Sequence, residues 1–73
     1  MPSTVGINPN LIIDKKKLLI NLQLIFPEKD FSEVKKKINK KKYFRLEKEL
    51  SQNQIEKLRL LGDTSIKFEE LLT

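Results

Sequence analysis

Polar and apolar residues alternate over residues 4–8, with Val5 and Ile7 on one side. A period of two is the mark of a half-buried strand. Asn8-Pro9-Asn10 ends it, because the proline ring pushes Asn8 toward extended geometry. The period then changes. Leu18, Leu22, Ile25 and Phe26, with Leu19 at the edge, recur at helical spacing and form one apolar face. Asp14 stands where an N-cap belongs, although the three lysines behind it oppose the helix dipole. Pro27 predicts the end of this helix at about Ile25. A second helix opens on Asp30 and Glu33, close to a capping box, and carries Phe31, Val34 and Ile38 inward with Lys36, Lys37, Lys40 and Lys41 outward. Over residues 43–50 alternation returns, with Phe44 and Leu46 set between Tyr43, Arg45 and Glu47, which predicts a strand. Ser51 and Gln54 make a capping box for a third helix, whose inward residues are Ile55, Leu58 and Leu61. Gly62 falls where a left-handed C′ residue belongs. Residues 66–69 alternate again, with Ile66 and Phe68 on one side.

The predicted order is therefore β-α-α-β-α-β, an α+β unit with a short sheet of about three strands and helices packed on one face. No internal repeat or low-complexity linker divides it, so residues 1–73 read as a single subdomain. Ile20 and Leu24 lie off the apolar face of the first helix, four residues apart. Two readings stay open: they widen the buried face, or they form an exposed patch that packs on something outside the chain.

Length sharpens the second reading. A chain of 73 residues has a marginal core and ordinarily draws on staples or a neighbouring surface. It contains no cysteine and no histidine, which excludes disulfides, thiolate chemistry and ordinary zinc sites. Charged residues (34%) nearly match hydrophobic ones (38%), a mix that suits a globular unit rather than a disordered one. The longest apolar cluster, residues 18–26, is interrupted by Asn21 and Gln23 and is far short of the ~20 residues a membrane span needs. Met1-Pro2-Ser3-Thr4 lacks the charged start and apolar stretch of a signal peptide.

Charge adds one candidate. Fifteen basic residues against ten acidic ones give a formal +5, and Lys35, Lys36, Lys37, Lys40, Lys41 and Lys42 crowd into eight positions. Such a run could neutralise phosphates, and the adjoining Tyr43 and Phe44 could stack on bases. Arginine is scarce, however, with only Arg45 and Arg59 present. A solvated helix face explains the run more simply, so nucleic acid is the alternative partner rather than the expected one.

Catalytic candidates do not hold up. Ser32-Glu33-Val34-Lys35 fits S-x-x-K and Ser51-Gln52-Asn53 fits S-x-N, but the K-T-G strand of the same chemistry is missing. Ser51 is better explained as a cap. Glu28, Asp30 and Glu33, like Glu69 and Glu70, fit capping and solubility better than acid–base work in a cleft. Gly6 and Gly62 alone cannot build a phosphate loop. No catalytic residue, cofactor site, metal site or small-molecule ligand is assigned, and the chain is read as a non-enzyme.

The ordered set of segments carries a resemblance. Thr4-Val5-Gly6-Ile7-Asn8-Pro9, Leu11-Ile12 and Ile25-Phe26-Pro27 come first. Phe44-Arg45-Leu46, Leu50-Ser51-Gln52-Asn53-Gln54, Leu61-Gly62 and Ile66-Lys67-Phe68-Glu69 follow. Together they resemble the N-terminal non-catalytic region of class B penicillin-binding proteins, nearest to the septal cell-division transpeptidase. The likeness runs over nearly the whole chain in order. It departs at the end, where family members continue into Arg-x-Tyr-Pro and this chain has Leu71-Leu72-Thr73. The resemblance implies a pedestal subdomain cut from a membrane-anchored enzyme at the periplasmic face of the inner membrane. Its implied partners are the transpeptidase domain of the parent chain and other cell-division membrane proteins. The implied parent crosslinks peptidoglycan through an acyl-serine; this piece would keep none of that chemistry. The competing expectation is a stand-alone small basic nucleic-acid-binding protein.

Overall fold

The computed structural model describes residues 3–70; Met1 and Pro2, and the Leu71, Leu72 and Thr73 at which the resemblance departs, lie outside the described residues. Three strands and three α-helices follow the predicted order: β1 (Ser3–Ile7), α1 (Lys15–Ile25), α2 (Phe31–Asn39), β2 (Phe44–Glu47), α3 (Gln52–Leu61) and β3 (Ile66–Glu70). A 3-10 turn, Pro9–Leu11, links β1 to α1.

The helix starts are set by side chains that satisfy free backbone N–H groups. Asp14 Oδ1 accepts from Lys17 N at 3.1 Å. Asp30 Oδ1 accepts from Ser32 N at 3.0 Å and from Ser32 Oγ at 2.6 Å. Ser51 and Gln54 form the full reciprocal box, at 3.2 Å and 3.0 Å. Gly62 closes α3 at φ +65°. Every one of these positions is a predicted cap.

The sheet is antiparallel throughout, in the order β2-β1-β3, so the first strand is central. Val5 pairs with Phe68 and Ile7 with Ile66 and Phe44. A bulge between Val5 and Gly6 shifts the register toward β2. The inner face of the sheet meets Leu18 and Leu22 of α1, Phe31, Val34 and Ile38 of α2, and Leu58 of α3 in one core, with helices packed on one face as expected.

Two local differences appear. β2 stops at Glu47 instead of running on to residue 50, because Lys48 and Glu49 turn the chain and Glu49 adopts φ +55°. Leu50 is nevertheless buried, and its N–H donates to the Ser3 carbonyl at 3.0 Å. The chain leaves α2 through Lys41 at φ +57°, a left-handed position that a lysine seldom takes. Asn10 Nδ2 donates to the Lys41 carbonyl at 2.9 Å and ties this corner to the 3-10 turn.

Candidate interaction surface

Local structure engages both serines and two of the carboxylates, Asp30 and Glu69, that the sequence offered for chemistry. Ser32 Oγ donates to its own cap, Asp30, and Ser51 Oγ accepts the third-residue N–H of α3. The hydrogen bonds from Ser32 hold the Asp30 carboxyl below its ordinary range. Asp63 is the other busy carboxylate. Burial pushes its carboxyl up, but Ser65 Oγ (2.6 Å), Ser65 N (2.9 Å) and Ile13 N (3.2 Å) all donate to it and bring the net shift below ordinary. It thereby joins the loop after α3 to the segment before α1. Among the described residues no cluster of three or more acidic side chains could hold a metal ion, and no helix is long and apolar enough to cross a membrane.

The lysine run is a solvated surface. Lys35, Lys36, Lys40, Lys41 and Lys42 are exposed, while Lys37 lies half-buried with its Nζ 5.9 Å above the Phe44 ring. The two aromatics beside the run are already engaged. Phe44 faces the core. Tyr43, just ahead of β2, folds across the outer face of the sheet and donates its phenol hydrogen to Glu69 Oε2. Arg45 completes the cluster, its guanidinium 3.3 Å from Glu69 Oε1. Burial, together with the hydrogen bond and the charge of Glu69, pushes the Tyr43 phenol up to about 12. The hydrogen bond from Tyr43 holds Glu69 below its ordinary value, with Arg45 assisting. Gly6 makes this arrangement possible: a β-carbon there would overlap the phenol oxygen of Tyr43 and stand 2.7 Å from its Cε2.

Large aliphatic side chains are exposed in the segment before α1 (Leu11 and Ile13) and on α1 and α3. Ile20 is 52% exposed and Leu24 72%, so neither belongs to the core and the pair does not widen the buried face. Leu60 on α3 is 86% exposed. α1 and α3 pack together, and between them runs an open groove of about 410 Å³. Leu24, Ile25, Leu60 and Leu61 supply its apolar lining; Lys17, Asn21 and Lys57 supply the polar part. Sequence reasoning found half of this surface through the Ile20/Leu24 spacing. It missed Leu60, whose only signal was a leucine left over beside the inward-facing Leu61. Comparison with protein-family models, with curated proteins and with solved structures finds no match to this chain.

Proposed function

We propose that this chain is a non-catalytic protein-interaction module, the pedestal subdomain of a class B penicillin-binding protein that serves septal peptidoglycan synthesis. The observation that carries the reading is that Leu24 and Leu60 lie uncovered on one groove, with Ile20 exposed a turn before Leu24, on a domain with so small a core. Large aliphatic side chains grouped on one surface favour a covering partner over solvent. Two further points support it. Of the two serines that could suggest chemistry, Ser51 caps α3 and Ser32 donates its hydroxyl to Asp30, the cap of α2. The segments that carry the family resemblance coincide with structural punctuation: the Asn8-Pro9 turn, the Ser51–Gln54 cap, the Leu61-Gly62 helix end and β3. In this role the module sits at the periplasmic face of the inner membrane and positions the transpeptidase domain against cell-division partners.

The test is the coding sequence beyond Thr73. The reading expects S-x-x-K, S-x-N and K-T-G in that order, and a labelled penicillin that acylates the full-length product but leaves this 73-residue chain unlabelled. A downstream sequence without that series refutes it.

A further inference from the structure

The groove between α1 and α3 specifies its occupant by charge as well as shape. Its apolar lining is Leu24, Ile25, Leu60 and Leu61, and its only charged lining residues are Lys17 and Lys57. Among the described residues no carboxylate lines it, although Glu56 is on the same helix as Lys57 and Glu28 stands just beyond α1. Two acids, Asp14 and Asp63, stand near the Lys17 end outside the groove lining. Asp14 accepts the Lys17 N–H, and Asp63 accepts from Ile13 and Ser65. Among the described residues neither Lys17 nor Lys57 forms an ion pair, so both stand beside an apolar trough with their charges available to an incoming group.

We propose that this groove receives one amphipathic helix of an acidic partner protein. The occupant places aliphatic side chains at i, i+3 or i+4, and i+7 against the leucines, and Asp or Glu on its flanks against Lys17 and Lys57. The proposal rests on reading the chain as an interaction module and adds the chemistry of what it binds. Length fits: the α1 side of the groove, Lys17 to Ile25, rises about 12 Å, roughly two turns of a bound helix and enough for contacts at i, i+4 and i+7. A second copy of this chain is the poorer occupant. It brings +5 onto +5, and a two-fold contact through this face sets Lys17 and Lys57 against the same lysines.

The test titrates the isotope-labelled chain with two synthetic helical peptides that share leucines at i, i+4, i+7 and i+11. One carries glutamates on its flanks and the other lysines. The expected result is saturable amide shifts confined to α1 and α3 with the acidic peptide, and binding at least tenfold weaker with the basic one. Leu24→Ser with Leu60→Ser weakens the acidic peptide tenfold or more, and Lys17→Glu with Lys57→Glu reverses the preference. All four side chains are exposed, and circular dichroism checks that the variants fold. Equal affinity for both peptides, no binding, or shifts elsewhere overturns the proposal. So does self-association in sedimentation that is abolished by the leucine pair, since that assigns the groove to a second copy. Penicillin labelling of the parent is read independently, so failure here leaves the pedestal reading standing, and loss of that reading leaves these titrations interpretable.

Discussion

Replacing Gly6 by alanine tests how the outer face of the sheet is built. The added methyl overlaps the Tyr43 phenol, so the ring must lift away and its hydrogen bond to Glu69 breaks. A hydrogen bond to a charged group is worth about 1.5–3 kcal/mol, and the lower end applies because Tyr43 is 43% exposed. Alanine offsets about 0.5–1 kcal/mol of this, since glycine in a strand carries that much extra backbone entropy in the unfolded chain. Gly6→Ala therefore destabilises the wild-type background by about 1 kcal/mol. With Tyr43→Ala already in place nothing remains to displace, and the same substitution stabilises by about 0.5–1 kcal/mol.

Urea unfolding followed by circular dichroism measures all four corners of this cycle. The expected coupling is about 1.5–2 kcal/mol, several times the ~0.3–0.5 kcal/mol within which independent sites add. Tyr43→Phe refines the result: it removes the hydroxyl but keeps the ring, whose Cε2 still crowds a residue 6 β-carbon, so Gly6→Ala stays unfavourable there. If Gly6→Ala has the same effect with and without the Tyr43 ring, the ring is not seated on Gly6 and the account of this face fails.

Tyr43 is the single tyrosine and the chain has no tryptophan, so phenolate absorbance reports this site alone; its midpoint is expected near 12 and should fall toward the ordinary 10 in Glu69→Gln. Because the folded value is the raised one, the associated stability is fully present below pH 10 and is lost as pH rises toward 12. Asp63→Ala leaves the Ile13 and Ser65 N–H groups without their acceptor and should cost about 1–3 kcal/mol in denaturant unfolding. In the wild type the Asp63 contribution is present above the ordinary 3.8 and disappears as pH falls below it, so acid unfolding should flatten in the variant. Ile20→Ser with Leu24→Ser should leave the thermal midpoint nearly unchanged, whereas Leu22→Ala, at a fully buried site, should cost about 2–5 kcal/mol and lower the midpoint by 10 °C or more.

What could be read from the chain divides along the range of the interaction. Caps are local: an Asp14 carboxylate or a Ser51–Gln54 pair needs only its own turn of helix, and each falls where its spacing puts it. The inward faces were equally legible, because period alone separates Leu18 and Leu22 from their neighbours. The outer face of the sheet was not. Tyr43 and Glu69 are 26 residues apart, and they meet only because β1 lies between β2 and β3 and presents a glycine beneath the ring. Nothing near Gly6 in sequence announces that. Leu60 was obscured for a related reason. Helical spacing turns Leu60 away from the core beside the inward Leu61, but a single outward leucine marks no surface until the packing of α3 on α1 sets it beside Leu24. The candidate function therefore hangs on the residues that local patterning explains least. Ile20, Leu24 and Leu60 are exposed, and Leu24 and Leu60 line one groove whose charged lining, among the described residues, is two lysines. A surface that neither the core nor the caps require is the part of the chain most directly accounted for by a partner.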